Sequence, residues 1–277
     1  MRCDAWRAGM RTRASMPRIA ADPRSALRSL LSSYLPFALV ALLYRFNPAT
    51  SAGVVAARVH VCDLRAFEMR VAGISVGGHE TTVHDWLQRH ATRGLDVLCA
   101  IPYGTFLLAV VAFLAFASLR DVSRARQFGW GFLALNVLAF ITYRVYPAAP
   151  PWYYHARGCV ADIAARASEG PNLARVDTLL GFRYFGTMYS QSRVVFGAMP
   201  SLHCAYALLI ALDGWGLFGR AMRVASVGYA LLMAFAAVYL DHHWVVDVIA
   251  GDAFSVVVFA VARSIAIRME RTASWSA

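Results

Sequence analysis

Apolar residues run along this chain in blocks, broken by short connections that carry arginines. The blocks lie at about 29–46, 95–118, 127–147, 201–218, 222–241 and 244–266. Several approach the ~20 consecutive apolar residues needed to cross a hydrocarbon core. Continuous apolar runs of this length predict helices rather than strands. Six of them predict an all-α polytopic membrane protein, a bundle of six transmembrane helices. The shorter runs fit helices that pack around a polar site and tilt against one another. Ahead of the first run, residues 1–28 form an arginine-rich segment too long and too basic for an ordinary signal peptide, so the first run reads as a signal anchor. Met10 or Met16 could serve as the true start. Residues 29–266 then make one membrane domain and 267–277 a short tail.

Composition sharpens the class. Hydrophobic residues make up 59% of the chain and charged residues 16%, against about 45–50% and about 25% in soluble domains. The formal net charge of +11 comes from arginine alone, since the sequence contains no lysine. Arg120, Arg124 and Arg126, then Arg220 and Arg223, then Arg263, Arg268 and Arg271 lie in connections that share one side of a six-span bundle. By the positive-inside rule that side is cytoplasmic, with both termini. This placement removes the need for a nucleic-acid partner to explain the charge. The connections 47–94 and 148–200 fall outside, as does a tight turn near 241–244. The first of these reads as partly helical and interfacial, anchored by Trp86 and "FEMRVAGI". Cys62 and Cys159 lie in the two outer connections and can pair only if those connections meet. Cys99 and Cys204 read as inert packing.

Three stretches carry candidate chemistry, and a fourth does not. "HETTVHDW" (79–86) lacks the second histidine of HExxH, because position 83 is valine. His79 and His84 would stand roughly 140° apart on a helix, so a water-facing interfacial helix is expected there and no zinc. "GAMPSLHCAY" (197–206) places a proline, Ser201 and His203 at a helix start, where unpaired amides and a positive dipole favour an anion such as phosphate. In "YLDHHWVVDVIAGD" (239–252), His243 and Asp247 are spaced i,i+4 and share a helical face. A carboxylate on one imidazole nitrogen leaves the other as a directed lone pair, the arrangement of a nucleophile or base. His242 should point about 100° away. "RVYPAAPPWYY" (144–154) ends the third run at the same boundary. Its Trp152, with Tyr239 of the last motif, is expected to shape the lip of a substrate site. Phosphoryl transfer needs cations, and Arg193 and Arg144 are the candidates. No metal and no cofactor is expected.

PSxH followed some forty residues later by HxxxD resembles the type 2 phosphatidic acid phosphatase superfamily. "YPAAPPWY", "GAMPSLH" and "YLDHHWVVDVIAG" look like its inositol phosphorylceramide synthase branch, which has bacterial members. The resemblance implies that His243 attacks phosphorus, that Asp247 orients it, that His203 protonates the leaving group and that Ser201 contacts phosphate. The chain departs from the superfamily pattern in three ways. It has no lysine for the KxxxxxxRP clamp, Ala236 and Ala237 stand at the Ser-Arg positions, and Leu202 replaces the glycine of PSGH. The expectation is therefore a lipid phosphotransferase with a phospholipid donor and a lipid alcohol acceptor, at the periplasmic or outer face of a bacterial inner membrane. If water enters instead, the same site is a lipid phosphate phosphatase. A non-catalytic lipid transporter or binder is the third reading.

Overall fold

A computed structural model describes residues 23–46, 58–165, 172–190 and 194–275. Most of the expected 1–28 segment lies outside the described residues, as does Arg193. Six helices form the bundle: α1 (Pro23–Phe46), α4 (Arg93–Arg120), α5 (Val122–Val145), α9 (Leu202–Gly214), α10 (Arg220–Tyr239) and α11 (Val245–Trp275). A cap covers one end of it. The cap holds α2 (Cys62–Ala72), a hairpin of β1 (Ile74–Val76) and β2 (His79–Thr81), α3 (Val83–Arg89), α6 (Pro151–Arg157), α7 (Leu173–Leu180) and α8 (Tyr184–Ser190).

The chain is a polytopic, helical integral membrane protein. α4, α5, α10 and the Val245–Met269 part of α11 are long and apolar enough to cross a membrane; α1 and α9 contribute the shorter apolar stretches Leu31–Phe46 and Leu202–Gly214. At 1.5 Å per residue, the 13 residues of α9 rise only about 20 Å. α9 tolerates this because it is a core element, packed against α4, α5, α10 and α11 with most of its side chains buried. It stops earlier than the apolar run predicts for a steric reason. Phe218 folds back over Gly214, where a Cβ would come within 2.2 Å of the ring, and the N–H groups of Leu217 and Phe218 both donate to the Gly214 carbonyl.

Local chemistry sets the other ends. Thr92 caps α4 by accepting from the Leu95 N–H. Asp121, the one residue between α4 and α5, caps α5 at Ser123 and Arg124. α1 lies along α5, with Gly129 against the Ser33 carbonyl.

The cap departs from expectation in one place and completes it in another. "HETTVHDW" is a strand followed by a helix, turned by Gly77 and Gly78 at positive φ and capped by Thr82 on the Asp85 N–H. His84 is fully buried, its ring edge-on to Trp244 at 4.6 Å, so this segment does not simply face water. The Cys62–Cys159 disulfide joins the two long connections, and the pairing that spacing left open is made.

Candidate active site

The turn between α10 and α11 gives up helical geometry, and that places its histidines. Asp241 has φ of +64°, a left-handed conformation uncommon for a side chain other than glycine. The N–H groups of His242 and His243 then both donate to the Ala237 carbonyl, at 3.1 and 3.0 Å. Both rings line the same cavity. The expectation that His242 points away fails because residues 240–244 are not helical. Ala236 and Ala237, at the superfamily's Ser-Arg positions, are fully buried.

The start of α11 is closed by carboxylates. Asp247 Oδ2 accepts from the Trp244 N–H at 2.8 Å, and Glu68 of α2 accepts from Val245 and Val246 at 3.1 and 3.2 Å. Trp244 is anchored by its Nε1–H on the Ala149 carbonyl.

The start of α9 is built against that of α11. The Ser201 N–H donates to the Asp247 carbonyl at 2.9 Å, and the Tyr143 hydroxyl donates to the Pro200 carbonyl at 3.0 Å. Gly251 sits directly on Ser201, where a Cβ would lie 2.3 Å from the Ser201 carbonyl oxygen. Ser201, fully buried, is the N-cap of α9, its hydroxyl accepting from the Cys204 N–H. Pro200 therefore precedes the helix rather than opening it.

This junction brings His203 Nδ1 to 3.2 Å from His243 Nε2. On its other side, His243 Nδ1 lies 2.9 Å from the Ala198 carbonyl and 3.7 Å from Asp247 Oδ2. A carbonyl only accepts, so this pattern assigns the proton to Nδ1 of His243 and leaves a lone pair on Nε2. His203 then donates from Nδ1, and its Nε2 faces the Tyr189 hydroxyl at 3.5 Å. Ala198 is thus the direct partner of the His243 ring, with Asp247 behind it. The ring of His203 is held between Tyr103, stacked at 4.6 Å, and Phe106, edge-on at 4.7 Å.

A cavity of about 640 Å³ opens on His203, His242 and His243, a volume typical of ligand sites. Its other walls come from α1, α4, α5 and α8, mostly apolar and aromatic, and Trp152 lines it as well. Arg45, at the end of α1, is the one arginine lining it among the described residues. Arg144 lines a different cavity with Leu43, Phe46 and Val137. Tyr239 lies in the packing of α10 on α4, bonded to Thr92 and Asp96. Sequence reasoning missed Arg45, although the expected topology puts the end of the first run at the boundary where the motifs meet. It also missed Tyr103, Phe106 and Tyr189, which look like ordinary core aromatics within their segments.

A polar chain braces the turn between α10 and α11 from the cap. His155 of α6 lies 2.6 Å from Asp241 Oδ2 through Nδ1 and 2.7 Å from Asp85 Oδ1 through Nε2. Arg65 completes it by donating to Asp85 at 3.0 Å. Hydrogen bonds to Asp241 and then to Asp85 raise the His155 pKa from 6.5 to about 9. Burial pushes that of His84, inside the same cluster, down to about 4.

Comparison with known proteins shows the family. A model described as the PAP2 superfamily matches residues 69–261. An inositol phosphorylceramide synthase of Candida albicans is 36% identical over 175 residues, which cover 61% of this chain and 36% of that protein. The catalytic subunit of the same enzyme from Saccharomyces cerevisiae is 36% identical over 182 residues, 63% of this chain and 44% of its own. A phosphoinositol dihydroceramide synthase of Bacteroides thetaiotaomicron is 28% identical over 236 residues, 81% and 73%. The chain thus spans less than half the length of these fungal relatives. No solved structure gives a significant match.

Proposed function

The chain belongs to the PAP2 superfamily, and on that premise we propose that it moves a phosphoinositol headgroup from a glycerophospholipid to a ceramide-type lipid alcohol. The observation that carries this reading is the His203–His243 pair, 3.2 Å apart at the end of a largely apolar cavity. The relatives, an inositol phosphorylceramide synthase and a phosphoinositol dihydroceramide synthase, supply the headgroup and the acceptor class.

In the first half-reaction, Nε2 of His243 attacks phosphorus. A P–N bond forms as the bond to the glycerol oxygen breaks, and His203, entering the cycle as imidazolium, gives that oxygen a proton and becomes neutral. In the second, the acceptor hydroxyl passes its proton to His203 while its oxygen attacks phosphorus and the P–N bond breaks. His243 keeps its Nδ1–H on the Ala198 carbonyl throughout, and Asp247 offsets the positive charge of the phosphorylated ring. Arg45 neutralises the phosphate oxygens. The Ser201 O–H, still a donor while its oxygen caps Cys204, assists. Apolar walls exclude water and so favour an alcohol acceptor. Trp152 bounds the site, and Arg193 remains a second candidate cation for the phosphate, whereas Arg144, on a different cavity, suits a membrane-surface anchor better.

We read α1 and α9 as completing six crossings, with the cap and the site on the outer or periplasmic face. The Cys62–Cys159 disulfide supports this orientation, because disulfides persist in oxidising compartments.

The test is mass spectrometry of lipids after incubating the purified protein with a phosphoinositol glycerophospholipid and ceramide. A new inositol phosphodiester of ceramide is expected, with His243→Ala lowering its formation by on the order of 10⁴ or more. Diacylglycerol and free inositol phosphate, with no new phosphodiester, would mean that water is the acceptor and that the site is a hydrolase. Lipid transport indifferent to His243→Ala would sink the enzyme reading altogether.

A further inference from the structure

Three histidines line the cavity, and the transfer chemistry uses two of them. His242 is 6% exposed, and its Nε2 has no hydrogen-bond partner among the described residues. Its ring lies against Tyr103 at 4.8 Å and Tyr189 at 5.1 Å. Tyr103 is fully buried, and its Oη is likewise without a partner. Buried polar atoms are nearly always paired, so two orphans on touching rings need a reason. Both rings flank the reacting pair, with Tyr103 4.6 Å and His242 6.4 Å from the His203 ring.

Burial, then the neighbouring imidazoles of His203 and His243, hold the His242 pKa well below its ordinary value. The ring therefore stays neutral, able to accept and donate hydrogen bonds but poorly suited to neutralising a phosphate. A phenol and a neutral imidazole together match a group that both donates and accepts, which is a hydroxyl. A hydrated polyol headgroup belongs at the water-facing mouth. A subsite this deep, beside Phe106, suits a hydroxyl carried on an apolar chain.

We propose that His242 and Tyr103 form the acceptor-recognition subsite, holding a second hydroxyl of the lipid alcohol next to the hydroxyl that reacts. This deepens the transferase reading and rests on it. The subsite selects sphingoid-type acceptors, which carry a secondary hydroxyl beside the reacting primary one, over diacylglycerol, which does not. A site whose buried polar groups are completed only by the right substrate discriminates strongly against an analogue lacking that group.

The experiment compares ceramide with its 3-deoxy analogue as acceptors for the enzyme in lipid nanodiscs, using phosphatidylinositol as donor. Wild type should favour ceramide in kcat/KM by about 10-fold or more. Tyr103→Phe and His242→Ala should bring that ratio towards one, mainly through the acceptor KM, and His242→Gln should restore part of it. With donor alone, the variants should still form the acid-labile phosphohistidine. An unchanged ratio in the variants, an effect confined to the donor KM, or loss of phosphohistidine in proportion to transfer would each overturn the subsite. Tyr103→Phe removes one oxygen and keeps the test open if His242→Ala fails to fold. Absence of any phosphodiester product from wild type would instead refute the transferase reading before a variant is compared.

Discussion

His243 is held by two groups of different strength of contact, and that difference predicts how its neighbours respond to mutation. The Ala198 carbonyl at 2.9 Å fixes the ring, whereas Asp247 at 3.7 Å contributes charge. Asp247→Asn should therefore lower kcat by about 10²-fold, far less than His243→Ala, since a fixed tautomer survives the loss of charge. Its amide oxygen can still accept from the Trp244 N–H, so the melting temperature should change little; steady-state kinetics and thermal unfolding in nanodiscs check both. The HxxxD spacing made this pair legible in the sequence. It did not reveal why the pair meets, because His243 precedes the helix and Asp247 reaches back as its cap. His242 was misplaced for the same reason, since nothing in "LDHHW" announces a left-handed aspartate. Tyr103 and Phe106 were illegible as neighbours of His203, because an aromatic in an apolar run looks the same whether it packs against leucine or against an imidazole.

Among the elements, the meeting of α9 and α11 matters most. Both begin at one point, tied by the Ser201 N–H on the Asp247 carbonyl and closed by the bare Cα of Gly251. A methyl group at 251 would have to displace backbone, not a flexible side chain. Gly251→Ala should destabilise the bundle by about 1–3 kcal/mol and separate His203 from His243, with activity falling more steeply than stability. Parallel melting and turnover measurements test this; equal small effects would mean that the junction yields. The apolar blocks disclosed where helices run, since their period and length decide that. Their ends depend on contacts with distant residues, such as Phe218 over Gly214, and could not be read from the blocks. The cap was less legible still, because its short pieces are held by long-range bonds rather than by periodicity.

For the molecule as a whole, two histidines, His84 buried and His155 partly exposed, bracket the stability of the cap. His155, raised to about 9, adds stability that is complete below pH 6.5 and is lost as pH rises through about 9. His84, lowered to about 4, withholds a proton that the unfolded chain takes up, so stability also falls as pH drops from 6.5 towards 4. Melting temperature should therefore peak near pH 6.5, with His155→Gln flattening the alkaline limb and His84→Phe the acid one. A profile unchanged in both variants would show that neither group governs the cap. Converting Cys62 and Cys159 to serine should lower stability by about 2–4 kcal/mol, since the bridge closes a separation of 97 residues. That bridge also bears on biogenesis. With the cap facing outward as proposed, a copy threaded through the translocation machinery upside down would present both cysteines to a reducing compartment and keep them as thiols. The turn that carries His242 and His243 would then lack a fastened roof, so misinserted copies are expected to be inert and open to proteolytic clearance. A non-reducing gel of whole membranes would count the correctly inserted molecules directly.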